Sequence, residues 1–293
     1  MTKSNRSTYV CILPYFCEEE VDRYLKTAQW MRENCQLPLT CEFLLAASPK
    51  TQTSDRLFAA FSSLGRTRHF RCPSQIFGYP QGPTAMFWDC MDYIANNFSG
   101  SGFSLWFESD MAATKADWLN RLATEWHAGG EPIMMGCFVP ETYKFRWLRK
   151  KKKVLDPHIN GGACYSLDFG RKMPVEAREG VFDMVVYKHA LQLGTVKTTT
   201  QIAFSTLARV RRDVIGQQAC VLHGFMQDKD RFIDQCVAPI TEKERSGRIW
   251  HPFQEQIEIT KRRLSVCFYR RGRQAVLESM LLAKHQLERR KSA

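Results

Sequence analysis

The sequence predicts an α/β protein built on a mainly parallel sheet with helices on its faces. Three observations predict it. Over the first two hundred residues, short apolar runs alternate with stretches of helical periodicity, the pattern of successive β-α units. Glycine and proline cluster between these segments, where turns belong. Finally, 293 residues with 44% hydrophobic and 25% charged side chains have the balance of a folded globular chain, large enough for one big α/β domain with an appendage. The eleven cysteines are scattered and form no CxxC pair, which argues against both a disulfide framework and a zinc knuckle.

Taken in order, Tyr9 to Pro14 reads as a strand, and Glu18 to Asn34 as a helix with Val21, Leu25, Ala28 and Trp30 available to one side. Cys41 to Ala47 is a second strand, followed by a helix near Ser54 to Leu64 and a short strand near His69. The turn Gly78 to Pro83 opens a helix reaching about Asn97, with proline suited to its first turn. Phe103 to Phe107 is the next strand, with Glu108, Ser109 and Asp110 at its carboxyl end. A helix is expected from Thr114, where Thr-Lys-Ala-Asp resembles a capping box, to Gly129 and Gly130. Pro132 to Val139 and Gly161 to Leu167 read as strands on either side of a basic insertion. A helix from Phe182 to Leu193 is closed by Gly194, and Ala219 to Leu222 is a last short strand. From Thr241 the chain reads as basic amphipathic helix, giving a domain at 1–240 and an extension at 241–293.

The net charge of +12 is concentrated in two places. Lys144 to Lys153 holds seven cations and no anion, and Thr241 to Ala293 adds another +7, leaving −2 over the remaining 230 residues. Two local basic surfaces point to an anionic partner: nucleic acid, a membrane face or a phosphorylated substrate. Met1 to Thr8 is polar, and no window approaches the ~20 apolar residues of a membrane span, so a cytoplasmic location is expected.

In an open α/β sheet, ligands collect beyond the carboxyl ends of the strands. Glu108 and Asp110 stand there, two apart, after the most apolar strand in the middle of the chain. Carboxylate oxygens suit hard divalent cations, which a diphosphate shares through its own oxygens. The bland alternative makes Asp110 a helix cap, a task for which Thr114 is better placed.

The succession of short motifs across residues 9 to 225 resembles the GT-A glycosyltransferases, particularly those like family 2. It runs from a first strand ending at Pro14-Tyr15 through a second ending at Ala47-Ser48 and a helix beginning near Gly82-Pro83. Phe107-Glu-Ser-Asp-Met111, Trp118-Leu119, Asn160-Gly-Gly-Ala163, Phe182-Asp183 and Leu222-His223 then follow in the same order. The resemblance implies a GT-A fold and transfer of a sugar from a nucleotide-sugar donor to a hydroxyl. It implies Mn²⁺ or Mg²⁺ on Asp110, with Glu108 as a ligand or donor-sugar contact and His223 completing the metal shell or contacting phosphate. It also places Pro14, Tyr15 and Ser48 around the donor base and ribose and Asp183 as the general base of an inverting reaction, while Asn160, Gly161 and Gly162 read as a tight turn that brings backbone near the acceptor or donor. This chain departs from the pattern in having Glu where Asp is commoner at 108, and Ser48 where an acid usually follows the second strand.

The basic insertion interleaves Tyr143, Phe145 and Trp147 with cations that include Lys144, Arg146, Lys150 and Lys151. Cations track a phosphate backbone and aromatic rings stack on bases. The resulting expectation is an acceptor in DNA, a hydroxymethylated base such as several bacteriophage enzymes decorate, which would set the enzyme in a host cytoplasm. The alternatives are a lipid-linked or cell-surface glycan as acceptor, a metal-dependent nucleotidyltransferase or nuclease, and a non-catalytic nucleic-acid binder, which would have no use for Glu108, Asp110 and Asp183. Neither GxxxxGK[ST] nor GxGxxG occurs, so P-loop and dinucleotide readings are weak.

Overall fold

The computed structural model describes residues 7–38, 40–140, 142–146, 149–205, 219–224 and 228–237, giving the backbone alone within 142–146, 149–155 and at 205. The described residues belong to one compact unit, Met1–Pro239. The helical extension expected from Thr241 lies outside them.

A seven-stranded sheet forms the centre. Strands β1 (Thr8–Tyr15), β2 (Cys41–Ala47), β3 (Arg66–Arg71) and β4 (Gly102–Trp106) run parallel to one another. β6 (Met134–Gly136) and β12 (Val196–Thr198) also pair in parallel, while β11 (Cys164–Ser166) runs antiparallel between β4 and β6. The order is β12-β6-β11-β4-β1-β2-β3. Alternation along β1 separates two cores. Cys11, Leu13 and Tyr15 face the layer containing α1 (Glu18–Asn34), α2 (Asp55–Ser62) and α4 (Trp118–Ala128). Val10 and Ile12 face α3 (Gln81–Asn97), the short α5 (Phe169–Lys172) and α6 (Phe182–Leu193). Trp118, Trp126, Phe87 and Phe103 are fully buried, each stabilising the fold by ~1.5–3 kcal/mol or more.

A smaller sheet carries β5 (Met111–Ala113), β14 (Val221–Gly224) and β13 (Ile202–Ser205), and α7 (Lys229–Val237) covers it through Phe232, Ile233 and Cys236. The helix expected from Thr114 therefore begins later, at Trp118. Thr114 caps nothing: its hydroxyl donates to the Ala219 carbonyl at 3.2 Å and ties the small sheet together. The expected strand over 132–139 is two strands, because the chain leaves the large sheet after β6 and pairs as β7 (Phe138–Val139) with β10 (His158–Ile159). Between them the basic insertion is a hairpin, β8 (Thr142–Arg146) with β9 (Arg149–Leu155), in which Lys144 lies opposite Lys152 and Arg146 opposite Arg149.

The strand order places β4 and β1 side by side. From β1 the chain proceeds to β2 and β3 on one side, and from β4 to β11, β6 and β12 on the other. That reversal opens a crevice at the carboxyl ends of β1 and β4.

Candidate active site

A cleft of about 510 Å³ fills this crevice. It is lined by Pro14 of β1, by Glu108, Ser109 and Asp110 after β4, and by Asn160, Val181, Phe182 and Asp183. The two strand ends are tied together by Tyr24 of α1, whose buried hydroxyl bridges the carbonyls of Pro14 (3.0 Å) and Phe107 (2.8 Å).

At the floor, one donor atom each from Glu108, Asp110 and His223 lie within 4.8 Å of one another. His223 Nε2 is 3.2 Å from Glu108 Oε2 and 3.3 Å from Asp110 Oδ1. The second contact is close in distance but poorly aligned, and Asp110 Oδ1 is left buried without a hydrogen-bond partner, as is His223 Nδ1. Trp106 Nε1 donates to Glu108 Oε1 at 3.1 Å, and the Phe204 ring stacks on the His223 ring at 4.7 Å, so both side chains are held in orientation. Lys229, from the first turn of α7, reaches Asp110 Oδ2 at 2.8 Å.

The charges are strongly coupled. Burial alone would push the His223 imidazole down, but the Glu108 and Asp110 carboxylates outweigh it and hold it up at about 10. Burial would raise Asp110, yet His223 and Lys229 hold its carboxyl well below the usual carboxylate range. The arrangement fits a divalent ion. Two carboxylates and an imidazole converge, and Asp110 Oδ1 makes no hydrogen bond, so these three side chains could hold a hard divalent cation.

Asp183 lies in the first turn of α6. Its carboxyl is raised by burial and by Glu108, and Oδ1 has no hydrogen-bond partner. Gly161 and Gly162 pack into the cluster from behind. A Cβ at Gly161 would stand 2.7 Å from the Phe182 ring and 3.2 Å from Glu108 Oε1. One at Gly162 would stand 2.8 Å from Met111 Sδ and 2.9 Å from His223 Nδ1. Asn160 Oδ1 accepts from the Gly162 amide at 3.2 Å, closing the turn.

The structure thus brings Pro14, Glu108, Asp110, Asn160, Asp183 and His223 to one cleft. Ser48 lies beside it, in an adjoining groove with Phe16, Lys50, Phe77 and Tyr79, and its hydroxyl meets Thr51 Oγ1 at 2.7 Å. Tyr15 corrects the sequence expectation: its ring is fully buried and its hydroxyl accepts from the Ser54 amide, so it has no face to stack on a base. The exposed aromatics at that corner are Phe16 and Tyr79, the latter 85% exposed. The side chains of Lys144, Arg146, Lys150 and Lys151 lie outside the described atoms, and Trp147 outside the described residues. Sequence reasoning missed Lys229, Glu20 and Trp106. Lys229 and Glu20 come from helices that only the tertiary fold brings to the cleft, whereas Trp106 carried a signal, two residues before Glu108 on the same strand face.

No family model and no curated protein sequence matches the chain. Among solved structures, the 1–349 fragment of TarS from S. aureus aligns at 10% identity over 74% of this chain and 60% of its own, with a TM-score of 0.46. Mouse xyloside xylosyltransferase 1 aligns at 10% identity over 74% of this chain and 97% of its own (TM-score 0.46). A 4-diphosphocytidyl-2C-methyl-D-erythritol synthase aligns at 12% identity over 66% and 89% (TM-score 0.43).

Proposed function

We propose that this chain is a glycosyltransferase that moves a sugar from a nucleotide-sugar donor to a hydroxyl acceptor with the help of Mn²⁺ or Mg²⁺. The observation that carries the reading is the convergence of Glu108, Asp110 and His223 in a cleft that is also lined by Asp183, whose buried Oδ1 has no hydrogen-bond partner. Asp110, Glu108 and His223 would hold the ion. When bound, it supplies positive charge to the diphosphate oxygens as the bond to the sugar breaks. Lys229 lies beside Asp110 with its side chain 43% exposed and adds a second cation on the same side of the cleft.

Asp183 takes the proton of the acceptor hydroxyl. The hydroxyl oxygen forms the new bond to the sugar carbon, and the old carbon–oxygen electron pair leaves with the nucleotide diphosphate. A carboxyl raised by burial suits this task, because proton transfer is most efficient when the base lies close to the working pH. Attack from the face opposite the leaving group inverts the anomeric centre. The acceptor we favour is a hydroxymethylated base in DNA. The β8–β9 hairpin, with seven cations and no acid from Lys144 to Lys153, is joined through Asp156 and β10 to the Asn160 wall of the cleft.

The test is a mass-spectrometric transfer screen pairing nucleotide sugars with hydroxymethylated DNA, unmodified DNA and glycan acceptors. Mass gain on hydroxymethylated DNA alone is expected. In Asp110→Ala transfer should fall at least a hundredfold; undiminished transfer in that variant with a chelator present would remove the metal assignment.

A further inference from the structure

Lys229 opens α7, and a cation in the first turn of a helix is disfavoured by the helix dipole. The helix has another cap: Asp228 Oδ1 accepts from the Arg231 amide at 3.1 Å. What holds the ammonium is Asp110, whose Oδ2 it meets at 2.8 Å. Glu20 and Glu108 line the same cleft, but both carboxylates are engaged elsewhere. Glu20 accepts from the Phe16 amide at 2.6 Å and the Ser109 hydroxyl at 3.3 Å, and Glu108 lies 3.1 Å from Trp106 Nε1 and 3.2 Å from His223 Nε2.

The two partners of this ion pair differ in freedom. The Asp110 side chain is 6% exposed, and its main-chain carbonyl is fixed to β14 by the Gly224 amide at 2.7 Å. The backbone of α7 is fixed as well, by the pairs Arg23 with Asp230 and Lys26 with Asp234 and by the buried Phe232 and Ile233. The Lys229 side chain, by contrast, is unbranched and 43% exposed, so its ammonium can leave Asp110 without disturbing either element. Asp110 is also the carboxylate assigned to the ion. Glu108 and Asp110 together carry two negative charges, which one divalent ion cancels. An ammonium kept on Asp110 Oδ2 would face that ion across a single carboxylate, a separation at which like charges repel.

We propose that Lys229 and the divalent ion compete for Asp110: the ammonium holds the carboxylate in the ion's place, and the ion must displace it to bind. The proposal rests on the assignment of Asp110 to an ion. A lysine that served only to anchor α7 would leave metal affinity unchanged when replaced.

Two measurements test it. In calorimetry with the whole chain and no nucleotide, Lys229→Met should bind Mn²⁺ about tenfold more tightly than the wild type, the scale of one hydrogen bond to a charged group that no longer has to be broken. Lys26→Met removes the same charge from a pair on α1 and should change the affinity by less than about twofold, because exposed, distant charges are screened. Equal or weaker Mn²⁺ binding in Lys229→Met overturns the proposal, since ammonium and ion would then share the carboxylate. The second readout uses the wild type and needs no variant to fold. Lysines are acylated with a soluble active ester and the rates followed by mass spectrometry. Saturating Mg²⁺ should speed labelling of Lys229 several-fold and leave Lys26 unchanged; a Lys229 rate indifferent to bound Mg²⁺ overturns the proposal. If neither wild type nor Lys229→Met binds Mn²⁺, the metal assignment falls and the competition with it. If ions bind and displace Lys229 in a protein that transfers no sugar, the competition stands and the glycosyltransferase reading falls.

Discussion

At Gly162 the absence of a side chain lets the turn after β10 lie against the carboxylate–histidine cluster, since a methyl group there meets Met111 Sδ at 2.8 Å and His223 Nδ1 at 2.9 Å. Methionine yields readily, but the His223 ring is clamped by Phe204 and by two carboxylates and does not. Gly162→Ala should therefore destabilise the fold by about 1–3 kcal/mol in denaturant titration and lower Mn²⁺ affinity in calorimetry, with the ring turned from its ligand position. Wild-type metal affinity in a destabilised Gly162→Ala would show that His223 is not a ligand. Tyr15 teaches the same lesson about faces. With Cys11 and Leu13 it occupies the odd positions of β1 and points into the core, a fact that strand alternation already contained.

Among elements, the legible ones were those long enough to show a period. α1, β2 and α6 fall where their periodicity and end signals put them, and Gly194 follows α6 as its closing residue. Three-residue strands show no period, so the sequence gives no sign of β5 between Asp110 and the helix expected from Thr114, and the antiparallel course of β11 follows from packing alone. α7 was invisible for another reason. Its role comes from side chains 200 positions away: Arg23 with Asp230 at 2.9 Å and Lys26 with Asp234 at 2.6 Å hold it on α1 and deliver Lys229 to Asp110. The β8–β9 hairpin was legible in charge but not in form. Cations opposite one another in an antiparallel ladder repel, so a polyanion that neutralises them gains affinity without touching a base. Replacing Lys150 to Lys153 with glutamine should flatten the salt dependence of duplex-DNA binding by about 0.9 in log–log slope for each phosphate no longer neutralised. An unaltered slope would separate the hairpin from DNA altogether.

For the molecule as a whole, the parallel strands, the reversal between β4 and β1 and the small sheet converge on one crevice, and its floor holds mutually dependent charges. Two carboxylates and two basic side chains lie together there, so a ligand that supplies both a divalent ion and a diphosphate would join groups already arranged for them. A ligand that binds only the folded state at a hundred times its dissociation constant adds about 2.7 kcal/mol, or about 5–10 °C in the unfolding midpoint of a chain approaching this size. Nucleoside diphosphate with Mn²⁺ should raise the midpoint by that amount, and each alone by much less, because an ion held by Asp110, Glu108 and His223 would add its charge to the attraction for the diphosphate. Asp110→Asn should abolish the joint effect, while Asp183→Asn, outside the Glu108–Asp110–His223 cluster, should preserve it. If the diphosphate stabilises the protein equally in the presence of a chelator, Lys229 and its neighbours suffice to hold it, and the carboxylates serve the fold rather than an ion.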